Sequence, residues 1–175
     1  MSLPKLFDKI AIDFEDFVLR GKFDYVELGM TRDQILQVLP RPELSDKLAI
    51  EHSTIWRYGE LELFFDPASG RLTRIFSDYV STLDGGETFD VSTWILSERL
   101  ELSSFLDVLN QAQVDYQVTH SPALEASVVE ISDSGVELSF SIEPGDVDAR
   151  RRKLGAVWKA ELSVARRLGQ AARKR

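Results

Sequence analysis

Leu61-Glu62-Leu63-Phe64-Phe65 decides the fold, because its pattern returns 75 positions on as Val136-Glu137-Leu138-Ser139-Phe140. Upstream, Ile35-Leu36-Gln37-Val38-Leu39 is matched 70 positions on by Phe105-Leu106-Asp107-Val108-Leu109. Downstream, Arg71-Leu72-Thr73-Arg74-Ile75-Phe76 is matched 82 positions on by Lys153-Leu154-Gly155-Ala156-Val157-Trp158. The order is kept while the offset widens, which is what longer connecting loops produce between two copies of one unit. A helix-then-strands unit that occurs twice predicts a single α+β body, in which two tandem helix-plus-antiparallel-sheet units are fused. The boundaries read as an N-terminal helix over 4–21, unit 1 over 22–84, unit 2 over 85–159 and a basic C-terminal helix or tail over 160–175.

Local patterns fill in this frame. Leu6, Phe7, Ile10, Ala11, Phe14, Phe17 and Val18 recur at helical spacing, and Gly21 is placed to stop the helix. Thr31 followed by Gln34 is a capping box, and Pro40 closes the helix 32–39. Strands are expected at 53–58, 60–66 and 71–77, with a Pro- and Gly-containing turn at Asp66-Pro67-Ala68-Ser69-Gly70. Phe89–Leu96 reads as an extended crossover into helix 103–112, followed by strands at 114–118, 126–131, 135–142 and 153–159. In strand 60–66, Leu61, Leu63 and Phe65 share one face while Glu60, Glu62 and Phe64 share the other. Strand 53–58 divides into Trp56 with Tyr58 and Ile55 with Arg57, and alternation alone leaves open which pair is buried.

Composition narrows the chemistry. The 175 residues are 43% apolar and include no cysteine, which removes disulfides, thiolate catalysis and cysteine-bound zinc. Met1-Ser2-Leu3-Pro4-Lys5 runs into a charged amphipathic stretch, and no long apolar run follows, so neither a signal peptide nor a membrane span is expected and the location reads as cytoplasmic. Residues 1–149 hold 11 Lys and Arg against 28 Asp and Glu, whereas residues 150–175 hold 10 against 1. An acidic body of this kind repels nucleic acid and favours encounter with a basic protein.

No catalytic motif stands out. The only histidines, His52 and His120, flank loops at a spacing that builds no metal cluster, so neither a metal nor a cofactor is expected. The Gly-x-Ser-x-Gly elbow and the Gly-x-Gly-x-x-Gly loop are both absent. Phe64, flanked by glutamates on what reads as an open sheet face, has the make-up of a protein-binding hot spot. Glu60, Glu62, Phe64 and the second-copy equivalent Glu137 are therefore the candidate partner-binding residues. The alternative is a small ligand-binding protein or carboxylate-dependent hydrolase that uses the groove between the repeats, with Asp78 and Asp84 at its border. The oligomeric state stays open.

Leu28-Gly29-Met30-Thr31, opening the first unit, resembles the start of the helix in small outer-membrane assembly lipoproteins of the SmpA/OmlA type. The duplicated units, spanning residues 25–159, resemble the β-lactamase-inhibitor-protein fold, in which two copies build one curved sheet. Trp56-Arg57-Tyr58-Gly59-Glu60-Leu61 is similar to a strand of small bacterial proteins, some of which accompany secreted toxins as immunity proteins. These resemblances imply the duplicated fold and, through the toxin-associated proteins, an immunity-type inhibitor, while the basic partner is expected from the charge.

Overall fold

The computed structural model describes residues 8–80, 82–121, 125–141 and 152–160. Those residues form a mixed α+β body dominated by antiparallel sheet. Strand β1 (Ile10–Asp13) leads into helix α1 (Phe14–Arg20), then α2 (Arg32–Val38), β2 (Leu44–Ser45), β3 (Ile55–Tyr58), β4 (Leu61–Phe65) and β5 (Leu72–Ser77). After β6 (Phe89–Ser92) come α3 (Leu102–Gln111), β7 (Tyr116–Ser121), β8 (Ala126–Ile131), β9 (Val136–Ser141) and β10 (Lys153–Ala160).

Eight strands make one sheet in the order β2-β3-β4-β5-β10-β9-β8-β7, and β1 pairs separately with β6 in parallel. Each half of the large sheet is thus a helix followed by a four-strand meander, and the halves join where β5 pairs antiparallel with β10. Positions that correspond in the two sequence segments are buried alike. Ile35 and Phe105, Leu39 and Leu109, Leu63 and Leu138, Phe65 and Phe140, Leu72 and Leu154, and Ile75 and Val157 all lie in one core.

Alternation dictates which side of each strand enters that core. Trp56 and Tyr58 face inward with Leu61, Leu63 and Phe65, which resolves the choice left open in β3. Both aromatics keep a polar tip satisfied: Trp56 Nε1–H donates to the Ile50 carbonyl at 3.1 Å and the Tyr58 hydroxyl to the Pro40 carbonyl at 2.8 Å. Phe17 and Val18 of α1, Ile35 of α2, and Phe105 and Leu109 of α3 pack into the same core. The Phe105 ring lies 5.6 Å from that of Phe140.

The expected caps are present. Gln34 N–H donates to Thr31 Oγ1 and Thr31 N–H to Gln34 Oε1, closing the capping box on α2. Gly21 ends α1 at φ 71°, a left-handed conformation that costs glycine little. At the turn after β4, Asp66 accepts from the backbone N–H of Ser69.

Several expectations need correction. Within the proposed helix 4–21, Ile10–Asp13 is a strand, residues 4–7 lie outside the described residues, and only Phe14–Arg20 is helical. Asp13 caps the helix by accepting from Glu15 N–H, so the helix begins after it, while Ile10 and Ile12 alternate along a ladder with Phe89–Ser92. That ladder also turns part of the supposed crossover Phe89–Leu96 into β6. The two-residue β2 was not anticipated, and β7 begins at Tyr116 rather than 114. Ala160 still belongs to β10, so the proposed C-terminal helix does not begin there, and residues 161–175 lie outside the described residues.

Candidate partner-binding face

The side of the sheet opposite the core is lined by one residue from each strand. Following the pairing registers, a single cross-strand row runs Leu44, Arg57, Glu62, Phe76, Trp158, Glu137, Glu130 and Gln117, from β2 at one edge to β7 at the other. Among the described residues no helix packs on this side. Next to the row lie Ile55, Phe64 and Arg74 in mutual register.

Aromatic rings form the middle of this face. Phe64 meets Phe76 edge to face at 6.0 Å, and Phe76 meets Trp158 at 6.4 Å, so the strip crosses from β4 over β5 to β10. All three rings are half-buried. The Arg74 guanidinium stands over Phe64 at 4.1 Å and over Phe76 at 5.3 Å. Its cation thus lies on the ring faces, where the quadrupole attracts it. Arg57 is held between Glu62, with Nε 3.5 Å from Oε1, and the exposed Tyr79 ring at 5.6 Å. Desolvation raises the Glu62 pKa and nearby Asp78 adds to it, against the opposing pull of Arg57 and Arg74.

The four candidate residues are placed differently. Glu62 and Phe64 lie on the face itself, Phe64 beneath the Arg74 cation rather than ringed by acids. Glu60 sits at the turn between β3 and β4, where its carboxylate accepts from the Thr82 hydroxyl and from Asp84 N–H at 2.8 Å. Glu60 therefore anchors the segment that follows β5. Glu137 falls in the same row as Glu62, two strands beyond Phe76, but it is buried at 7% exposure, as are its neighbours Ala126 and Val128 on that side. Glu137 therefore interrupts the accessible row between half-buried Trp158 on one side and half-buried Glu130 and exposed Gln117 on the other. Phe76 and Trp158 are not among the four candidates; the sign that could have singled them out is that they correspond to each other in the two sequence segments.

The acids expected at a groove between the halves are elsewhere. Asp78 lies near Glu62 on the sheet face, and Asp84 accepts from Gly86 N–H through its side chain and from Glu60 N–H through its carbonyl. β5 and β10 are hydrogen-bonded neighbours, and the cavity of about 360 Å³ that their paired residues Ile75 and Lys159 line together with residues of 20–28 includes neither Asp78 nor Asp84. A cavity of about 500 Å³ lies instead at the C-terminal end of α2, among Ile10, Val38, Leu39, Pro40, Glu43 and Glu87. Glu43 is fixed there by backbone N–H groups of Gly59 at 2.9 Å and Glu87 at 2.7 Å. His52 and His120 are exposed, and among the described residues no three His, Asp or Glu side chains converge. No helix among them is long and apolar enough to cross a membrane.

Compared with protein-family models, curated protein sequences and solved structures, the chain matches none.

Proposed function

We propose that the protein is a non-enzymatic, cytoplasmic binding module of two duplicated units, which holds a basic protein against the open face of its sheet in the manner of an immunity-type inhibitor. The observation that carries this reading is the half-exposed strip Phe64–Phe76–Trp158, bordered by Leu44 and Tyr79, on a face with no helix over it among the described residues. Aromatic and arginine side chains are enriched at the centres of protein interfaces. Arg57 and Arg74 are already engaged by Glu62 and by rings, so they offer little free positive charge to a partner. The surplus of acids over residues 1–149 supplies the long-range attraction for a basic partner.

The test is capture of partners by the full chain at low salt, compared with Phe64→Ala and Trp158→Ala. A basic protein retained by wild type and lost by both variants, with binding that weakens as salt rises, supports the reading. A partner held equally well by both variants, or one with an acidic surface, refutes it.

A second reading rests on the cavity beside α2: a small ligand with an apolar body and a cationic group would meet Ile10, Val38, Leu39 and Pro40 and then Glu43 and Glu87. A thermal-shift screen distinguishes it, since a ligand at 100 times its Kd adds about 2.7 kcal/mol.

A further inference from the structure

The two halves of the outer face are not covered alike. Glu62 and Glu137 occupy corresponding positions, and Glu62 stays half-buried although Arg57 and Phe76 flank it across the strands. Glu137 is 7% exposed, and on the neighbouring strand β8 Ala126 and Val128 are 2% and 6% exposed. All three lie on the outer side, since their strand neighbours Leu138, Val129 and Ile131 enter the core and they do not. The side chains opposite them are small: Ser121 and Ser141 beside Ala126, Thr119 and Ser139 beside Val128. Those neighbours cannot shield a valine to this degree, and among the described residues no helix packs over it.

The cover comes from the chain itself, because these side chains are buried in a single copy. Three stretches outside the described residues adjoin this half of the sheet. Residues 122–124 join β7 to β8 beside Ala126, and 142–151 join β9 to β10 at that same end. Residues 161–175 follow Ala160 of β10 and so start at the other end, just past the position that faces Glu137. Along β9 the patch runs from Ser141, opposite Ala126, to Glu137, about 13 Å. A helix over 162–172 is about 16 Å long and covers that span. Charge separates the two longer stretches: 142–151 hold Glu143, Asp146 and Asp148 against Arg150 and Arg151, whereas 161–175 hold five Lys and Arg against Glu161. Glu137 stands directly opposite Glu130, and two carboxylates in that register favour a cationic cover over an acidic one. Leu162, Ala165, Leu168 and Ala172 recur at helical spacing, which gives the basic segment an apolar stripe as well.

We propose that residues 161–175 form an amphipathic helix that folds back over the outer side of β8 and β9, its stripe on Val128 and Ala126 and its arginines at Glu130 and Glu137. The docked helix leaves Phe64, Phe76 and Trp158 uncovered, and its docking does not depend on whether a partner binds that strip.

The test exploits the absence of cysteine from the full chain. A thiol introduced by Val128→Cys is expected to react with a maleimide about tenfold more slowly than the same thiol in a chain that also carries Leu162→Asp and Leu168→Asp, with equal circular dichroism. Ser139→Cys, opposite Val128 and nearly isosteric, repeats the comparison with less disturbance of the sheet. The shielding is expected at every protein concentration. A thiol that reacts freely without the aspartates shows that nothing covers the patch and overturns the proposal. One that stays shielded with them overturns it too, and assigns the cover to 142–151. Shielding that appears only as concentration rises means that a second copy supplies the segment, which refutes folding back within one chain. Release that comes with loss of the sheet signal also refutes it, because the ladders from β7 to β10 close without the segment.

Discussion

Phe76 of β5 lies directly opposite Trp158 of β10, with ring centroids 6.4 Å apart and planes tilted by 39°. These residues occupy corresponding positions in the two halves, so the joint between the halves is built from equivalent residues facing each other. Such pairing is what an approximate two-fold axis through the centre of the sheet produces, and it places the aromatic strip where both halves contribute.

That contact predicts a measurable coupling. Aromatic pairs contribute about 0.5–1.5 kcal/mol beyond burial, and half-exposed rings belong at the lower end. A double-mutant cycle on Phe76→Leu and Trp158→Leu, read by denaturant unfolding, is expected to give about 0.5 kcal/mol. Strict additivity would mean that the rings merely adjoin.

Helix α2 is held by Ile35, which is fully buried, whereas its neighbour Leu36 is only half-buried. Ile35→Ala is expected to cost about 2–5 kcal/mol through lost transfer energy and the cavity left behind. Leu36→Ala should cost clearly less. Equal losses on thermal unfolding would show that α2 presents a different side to the sheet.

Gly59, at the turn between β3 and β4, has φ 59°, and a Cβ there would run into the backbone of Asp84, Gly85 and Gly86. Gly59→Ala meets both the left-handed penalty and that backbone. The cost is expected to exceed about 1 kcal/mol, read as a lowered Tm. A neutral substitution would mean that the segment 84–86 moves aside freely.

Asp46 governs part of the acid response. Desolvation acts to raise its pKa, but hydrogen bonds from the Ser53 hydroxyl, Ile55 N–H, and the Thr54 hydroxyl and N–H prevail and hold it well below the usual carboxylate range. A folded-state pKa below the unfolded one, about 3.9, gives stability that is present above that value and is lost as pH falls through it. Asp46→Asn should therefore destabilise at neutral pH and flatten the decline of stability below about pH 5. The same slope in both proteins would place the acid response in other carboxylates.

The strand faces and caps were legible because they are local. Leu61, Leu63 and Phe65 alternate with Glu62 and Phe64 in any extended chain, and Thr31 with Gln34 closes its cap within one turn. Ile10–Asp13 was not legible, because Ile10, Ile12 and Phe14 satisfy a strand or a helix equally until a distant partner, Phe89–Ser92, supplies the ladder. The candidate site divided in the same way: the sequence placed Glu62 and Phe64 together on the outer side of β4, but could not foresee that Arg74 covers Phe64 or that Glu137 is buried.

By itself, then, the sequence determined the α+β class, the side of β4 that enters the core and the acidic charge of residues 1–149, since each depends on neighbours within a few positions or on composition. Only the tertiary structure decided that β5 pairs with β10, that Trp56 and Tyr58 turn inward, that Phe64, Phe76 and Trp158 meet on one face, and that β7 comes last in the order of the eight described strands. Each of those depends on register between strands far apart in the chain, where a shift of one residue would send every side chain to the opposite face.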